Sequence, residues 1–416
     1  MFCLVDGNNF YVSCERVFNP KLIAKPVIVL SNNDGCVVSR SNEAKAIGIK
    51  MGEPYHKCKR LVTLNKVKVL SSNYTLYADM SARIVGILRT ITPDLEVYSI
   101  DESFLFLQIN SNDCYKQGEM IKKLIRQQTG IPVGVGFGKT KTLAKIANMM
   151  AKRLGSGVCS IHDYDIKKVL RSVLIEDVWG VGKGVGRRLR RHGIYNAWQL
   201  REASLRIIRS SCHSYGERLK LELMGISVIK LETQKNPNKQ IISSRSFGMG
   251  VTDRGQLYAA LTENIMRATE KLRAQYLKVK RCYAFVQTSQ FKESYHHHGV
   301  ELVLPLYSSA ASYITQCVLS SISVKIKENI VYTKSGIVLS ELISSNELQP
   351  SLFDNKQKQV KLDKLMKAYD DINQRWGRGS IIISRAHQER QLWRMSQRYR
   401  SEKYTSSKQQ VIIAKS

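Results

Sequence analysis

Asp101 and Glu102 stand side by side in VYSIDESFLF, residues 97–106, an apolar, strand-like run that they interrupt. Successive side chains of a strand point to opposite faces, so an acidic pair there drives at least one carboxylate toward a core. That burial is costly unless something positive waits there. A third acid, Asp6, follows the apolar stretch FCLV and precedes Gly7, where backbone can approach a ligand closely. If the two strands lie side by side, three carboxylates meet at one sheet edge, and their repulsion opposes ionisation unless cations are bound. Oxygen-only ligands favour Mg²⁺ or Mn²⁺, and two such ions can activate an attacking hydroxyl and stabilise a leaving phosphate. Taken alone, the spacing is equally compatible with acids that merely end two strands.

The elements that must position these acids can be read from periodicity. The first 165 residues alternate short apolar runs (FCLVD, PVIVL, VYSIDESFLFL, IPVGVGF) with helical stretches, an α/β pattern. Within it, Ile146, Ala147, Met150 and Leu154 recur at helical spacing, while Lys141, Lys145, Asn148 and Lys152 fall on the opposite side. This predicts a basic stripe facing away from the core, with Lys152 solvated. Just before it, Gly134 to Thr140 (GVGFGKT) approaches the phosphate-cradling pattern GxxxxGK[ST] but fails by one position, since the first glycine would have to replace Val133.

From about Asp163 to Leu231 the chain becomes helical and basic, ETQKNPNKQ (232–240) reads as a polar linker, and residues 241–345 follow the order β-α-β-β-α-β. The residues from Asn346 onward are rich in Lys, Arg and Gln, too poor in apolar groups for a full core, and are expected to be partly ordered. In IEDVWGVGKGVGRRLRRHG (175–193), Gly180 and Gly182 precede a basic helix with Lys183, Arg187 and Arg188. Glycines that expose backbone N–H groups at a helix start favour phosphate, gripping a nucleic-acid backbone without reading bases.

Composition agrees with such a partner. The 416 residues carry a formal net charge of +31, which calls for a polyanion, most simply nucleic acid. No apolar stretch approaches a bilayer span, and the N-terminus lacks a signal-peptide core, so a cytoplasmic protein is expected. Nine scattered cysteines without a CxxC pair suggest neither a disulfide framework nor a zinc site, and His296, His297 and His298 read as a solvated hairpin loop.

VDGNNFYVSCE at 5–15, VYSIDESF at 97–104 and GVGFGKTKTLAKIANMMAK ending at 152 resemble, in wording, order and spacing, the catalytic motifs of the Y-family, or translesion, DNA polymerases. SRSNEAKAIGIKMGEP, INQRWGRG and YT at 404 resemble more narrowly the branch of the UmuC subunit of bacterial DNA polymerase V and its plasmid- or phage-borne relatives. The resemblance spans essentially the whole chain. It implies a multidomain α+β right hand: a ferredoxin-like palm (1–10 and 76–165), small fingers (11–75), a helical thumb with a helix-hairpin-helix (166–231), a linker (232–240), a ferredoxin-like little finger (241–345) and a partly ordered C-terminal tail for partners (346–416). It further implies that Asp6, Asp101 and Glu102, with the Gly7 carbonyl, hold two Mg²⁺ ions, and that Tyr11 is a steric gate beneath the sugar of the incoming dNTP, with Phe10 packing the other way. Ser39, Asn42, Lys45 and Lys145 fall at triphosphate-binding positions. The wider family often has Tyr and Arg where this chain has Asn42 and Lys45, and lysine lacks the bidentate fork of arginine.

Implied partners are primer–template DNA, a sliding clamp docking on Gln349, Leu352 and Phe353 of QPSLF, a processed UmuD-like dimer and a RecA filament. The activity expected is error-prone, template-directed translesion synthesis in the SOS response. Two alternatives stay in view: a catalytically silent DNA-binding scaffold in which the acids are turns, and a P-loop ATPase, which would leave the three acids without a role. The acidic pair itself is expected at a bend between two antiparallel strands, where alternation breaks down and both carboxylates can turn the same way.

Overall fold

The computed structural model describes residues 1–234, 237–291, 294–347, 356–388, 391–407 and 410. Two units emerge: unit 1 comprises Met1–Ser31, Gly35–Lys235 and Tyr399–Ser416, and unit 2 comprises Asn32–Asp34 and Asn236–Arg398.

In unit 1 the FCLV run forms strand β1 (Phe2–Gly7), and Asn9, in the left-handed region at φ 48°, turns the chain into helix α1 (Phe10–Phe18). Asparagine is among the few side chains that accept that conformation. Strands β2 (Val27–Leu30) and β3 (Val37–Arg40), helices α2 (Asn42–Ala46) and α3 (Tyr55–Leu64) and strand β4 (Lys68–Ser71) make a small subdomain on a sheet ordered β3-β2-β4. Helix α4 (Tyr74–Ile91), capped by the Asn73 side chain, leads back to β5 (Leu95–Val97) and β6 (Glu102–Phe106). Then follow α5 (Cys114–Thr129), β7 (Val133–Gly138), α6 (Lys141–Leu154) and β8 (Val158–Ser160). The main sheet is ordered β5-β6-β1-β7-β8, antiparallel except for the β7/β8 pair. Its first four strands, with α4 and α5 as crossovers, give the β-α-β-β-α-β arrangement, and β1 lies at its centre.

The lysine-bearing helix α6 departs from expectation. Its apolar side, Leu143, Ile146, Ala147 and Ala151, packs with residues of α7 (Ile166–Ser172), α8 (Lys183–Arg191), α9 (Ala197–Glu202) and α10 (Leu205–Leu223). On its other side Lys152 is exposed, as predicted, but that side lies largely on β7. There the glycines of GVGFG have a use unrelated to phosphate: a Cβ at Gly138 would sit 2.6 Å from Ala144 N, one at Gly134 would sit 2.5 Å from Asn148 Oδ1, and one at Gly136 would overlap the backbone of Ala144 and Asn148. Three glycines on one face of a strand thus let a helix seat directly on backbone. Because they lie inside β7 rather than in a loop, the P-loop reading loses its structural basis.

Lys141 and Asn148 are consequently buried, at 1% and 3% exposure, where the sequence predicted a solvated stripe. Lys141 pairs with Glu96 of β5 and donates to the Lys230 carbonyl at 2.8 Å. Lys141→Ala leaves the Glu96 carboxylate buried without its cation, which is expected to destabilise unit 1 by about 3–5 kcal/mol. Denaturant unfolding reads this directly, and a wild-type midpoint would refute it.

Unit 2 runs β9 (Ile241–Val251), α11 (Arg254–Arg273), β10 (Leu277–Gln287), β11 (His297–Ser308), α12 (Ala311–Ile322) and β12 (Tyr332–Ser344), with an all-antiparallel sheet ordered β11-β10-β12-β9. Two of the three histidines are not in a loop: His297 and His298 pair with Gln287 and Val286 as β11 begins, and His297 stacks with Tyr283 and Phe285, while His296 stays in the connection that precedes the strand. The polar segment that follows holds more structure than its composition suggests. Helix α13 (Lys356–Trp376) is tied down by a two-pronged Arg273–Asp370 pair at 2.6 and 2.7 Å and by Lys278–Asp363 at 2.8 Å, and Trp393 is buried in the core of the unit. The chain then returns to unit 1, where Tyr399 and Arg400 lie along Ser71 of β4. All nine cysteines are free, and among the described residues no helix is long and apolar enough to cross a membrane.

Candidate active site

The acidic pair sits where a strand ends. Glu102 is the first residue of β6, and Asp101 belongs to the bend that joins β5 to β6. One hydroxyl organises that bend: Ser99 Oγ donates to Asp101 Oδ1 at 2.6 Å and accepts from the backbone N–H groups of Asp101 (3.3 Å) and Glu102 (3.0 Å). The Gly7 N–H donates to the Asp101 carbonyl at 2.8 Å and ties the bend to β1, so that Asp6 lies opposite Glu102 in the register of the sheet. Alternation is broken at the bend, which is how adjacent acids avoid sending one carboxylate into the core.

Two ammonium groups from α6 meet these acids. Lys145 Nζ lies 2.8 and 3.0 Å from the two Glu102 oxygens and 4.6 Å from the centre of the Tyr98 ring, with Trp179 at 5.5 Å. Lys152 Nζ lies 2.7 Å from Asp6 Oδ2, which also accepts from Asn148 Nδ2 at 3.1 Å. Burial pushes the Asp6 carboxyl above the usual range, Lys152 pulls it back, and Glu102 and Asp101 push it up further. Sequence reasoning missed Asn148 and Lys152. Their spacing from Lys145, three and seven residues on, places them on one helical face, but only the seating of α6 on β7 makes that face the inner one.

A cavity of about 430 Å³ is lined by Asp6, Glu102, Lys145, Asn148, Lys152 and Trp179, among others. Among the described residues no three acids, histidines or cysteines are drawn close enough to ligate an ion as a set. The structure sets Asp6 and Glu102 opposite each other and leaves Asp101 beside them in the bend. The donor chemistry still suits a hard divalent cation: carboxylate oxygens, a desolvated Asp6, and a buried Asn148 Oδ1 without a hydrogen-bond partner.

Next to it, a cavity of about 310 Å³ is lined by Asn8, Asn9, Asn42, Lys45 and Lys152. Lys152 therefore borders both. Asn42 Oδ1 accepts from Asn9 Nδ2 (3.1 Å) and Lys45 Nζ (3.3 Å), and the Lys45 ammonium is held below its ordinary pKa by burial and by Arg40 and Lys152. Ser39, buried on β3, accepts from the Val12 N–H at 3.4 Å, which ties that strand to α1. Phe10 is buried in the core, while Tyr11 is partly exposed and lies flat on Tyr77, ring centres 4.2 Å apart at 12°.

In the glycine hairpin, Gly180 takes φ +83°, and its missing Cβ makes room for the Tyr215 ring. Gly182 caps α8, and Lys183 and Arg187 are exposed on it. Arg188 is partly spoken for, because its Nε donates to the Ser211 carbonyl at 2.9 Å and holds α8 to α10. Gln349, Leu352 and Phe353 lie outside the described residues.

The impB/mucB/samB family model matches residues 5–149, its C-terminal domain model matches 238–352, and a domain of unknown function (DUF4113) matches 363–414. The chain is 37% identical over 423 residues to "Protein UmuC" of Salmonella typhimurium strain LT2 and 36% identical over 425 residues to "Protein ImpB" of Salmonella typhimurium, covering 100% of both chains in each case. Among solved structures, a Y-family DNA polymerase chimera of Dbh and Dpo4 superimposes with a TM-score of 0.66 at 19% identity, over 82% of this chain and 99% of that one. Identity sustained from end to end, together with that shared architecture, shows that the chain belongs to the impB/mucB/samB family and has the fold of the Y-family DNA polymerases.

Proposed function

We propose that this protein, a DNA-directed DNA polymerase, carries out error-prone, template-directed translesion synthesis in the SOS response, joining dNTPs to a primer 3′-hydroxyl by two-metal nucleotidyl transfer in the cytoplasm. One observation carries the reading. The cavity that holds Asp6 and Glu102 and the cavity that holds Asn42 and Lys45 share Lys152, so reacting hydroxyl and triphosphate have adjoining sites.

Asp6, Asp101, Glu102 and the Gly7 carbonyl would hold two Mg²⁺ ions, with Mn²⁺ as a substitute. When bound, such ions ease deprotonation of the hydroxyl and neutralise charge on the transferring phosphate. Lys45 and Lys145 offer point charges to the phosphates, Ser39 and Asn42 orient them, and the Tyr11 ring excludes a ribose 2′-hydroxyl by contact. In this reading the main sheet of unit 1 with its flanking helices is the palm, the β3-β2-β4 subdomain the fingers, α7–α10 the thumb, β9–β12 with α11 and α12 the little finger, and residues 346–416 the C-terminal tail for partners.

Gly180, Gly182, Lys183, Arg187 and the free edge of Arg188 would grip DNA phosphates. Lys183→Ala and Arg187→Ala are each expected to weaken binding evenly across sequences and to reduce the slope of log affinity against log salt by about one. Fluorescence anisotropy over a salt series checks this, and unchanged slopes would take the hairpin out of the DNA interface. The sliding clamp, a processed UmuD-like dimer and a RecA filament complete the proposed assembly.

Primer extension across a lesion with Mg²⁺, the clamp and the accessory subunits tests the whole reading. DNA binding without any extension would favour the scaffold alternative instead.

A further inference from the structure

Glu15 is a buried acid with no part in the chemistry above. It lies on α1 one turn beyond Tyr11 and is 1% exposed. Its Oε1 accepts two hydroxyl donors, Tyr77 from α4 at 2.8 Å and Ser401 at 3.0 Å. Tyr77 is also the ring on which Tyr11 stacks. Tyr11 and Glu15, four residues apart on one helix face, thus hold Tyr77 at two points, one by the ring and the other by the hydroxyl.

Ser401 belongs to the short segment by which the chain rejoins unit 1. The Ser71 N–H donates to the Tyr399 carbonyl and the Tyr399 N–H to Ser71 Oγ, both at 3.0 Å. Asn73, the cap of α4, donates from Nδ2 to Ser401 Oγ at 3.0 Å and to the Glu402 carbonyl at 3.1 Å. Tyr404 lies flat on Phe18, the last residue of α1, with ring centres 5.0 Å apart at 7°. The segment 399–404 therefore touches the end of α1 and the start of α4, the helices that carry Tyr11 and Tyr77. At its middle, one serine hydroxyl reaches the carboxylate that both helices share. Burial drives the Glu15 carboxyl up, while the Tyr77 and Ser401 hydroxyls draw it down. A buried carboxylate that loses one such donor must find another or shift.

We propose that the segment 399–404 is a positioning element for sugar selection: Ser401, acting through Glu15 and Tyr77, fixes the seat of the Tyr11 ring and so sets discrimination between deoxyribonucleoside and ribonucleoside triphosphates. The proposal rests on the reading of Tyr11 as the sugar gate. A gate excludes by contact, so its selectivity depends on how firmly its ring is held as well as on its size. Ser401, Glu15 and Tyr77 act through Tyr11 and are positioning residues.

The test uses the full chain with clamp and accessory subunits and reads the ratio of kcat/KM for a deoxyribonucleotide to that for the matching ribonucleotide. Ser401→Ala and Tyr77→Phe, which each remove one hydroxyl, are expected to lower that ratio about three- to tenfold, with deoxyribonucleotide incorporation changed less than about twofold. Ser401→Thr, which keeps the hydroxyl, is expected to retain the wild-type ratio. Tyr11→Ala is expected to lower it about a hundredfold or more, with Ser401→Ala adding nothing further in that background. A ratio unchanged in Ser401→Ala and Tyr77→Phe while Tyr11→Ala collapses it overturns the proposal and leaves the gate standing. An unchanged ratio in Tyr11→Ala removes the gate itself. Equal losses with both sugars would reduce the segment to structural support, and that too overturns the proposal.

Discussion

Asp101→Ala is expected to slow primer extension by about a thousandfold or more while leaving DNA affinity near wild type. The side chain is expendable to the fold. It stands in a bend, its carboxylate accepts from the Ser99 hydroxyl, and the contact that ties the bend to β1 uses the Asp101 backbone carbonyl. Truncation thus removes a carboxylate and little else. Single-turnover extension with Mg²⁺, paired with anisotropy on the same primer–template, separates chemistry from binding. If Asp101→Ala extends primers as fast as wild type, the assignment of the acidic bend to catalysis is wrong. The same experiment on Asp6→Ala is less clean, because that change also strands Lys152 and Asn148.

The second large effect concerns stability. Gly136→Ala is expected to cost about 3–5 kcal/mol, enough to unseat α6 or prevent folding. The added methyl would meet backbone atoms of Ala144 and Asn148, and backbone cannot rotate aside as a side chain can. Gly86 supplies the contrast: it lies in α4, and a methyl added there would find open space, with nothing within 4 Å. Gly86→Ala is therefore expected to be neutral or to stabilise by up to about 1 kcal/mol. Thermal unfolding of both variants decides the matter. Equal midpoints would mean that α6 does not rest on β7 as described.

How much can be read without coordinates differs from element to element. The acids are legible because an acidic pair inside an apolar run conflicts with strand alternation, and the conflict points to the strand end that the structure places there. The unit 2 elements are legible from their β-α-β-β-α-β order. The orientation of α6 is not. Helical periodicity separates two faces of a helix but does not say whether the polar one meets water or a second layer, and here β7 covers it. A lysine stripe opposite an apolar stripe is ordinarily a surface, so periodicity alone assigns Lys141 to solvent together with Lys152, and only for Lys152, which is exposed, does the assignment hold. The glycine run is the signal against this, but its spacing reads first as a phosphate loop. His297 misleads in another way: an aromatic-rich open sheet face can carry histidines at a strand start, which composition reads as a loop. The docking of residues 399–404 lies beyond reach, since its bonds to Ser71, Asn73 and Glu15 span more than three hundred residues and leave no local pattern.

That long-range docking also has a temporal side. A chain leaves the ribosome N-terminus first, at roughly 5–20 residues per second, and domains fold as they emerge. The acids, the gate tyrosine and the lysine helix are all made before residue 155, and the body of unit 1 is complete by residue 235. Tyr399–Tyr404 arrive only after unit 2 has been synthesised. Unit 1 therefore spends a period of synthesis with Glu15 lacking its Ser401 donor. A nonsense codon between residues 236 and 398 yields a chain with every proposed catalytic group and an unfinished fold.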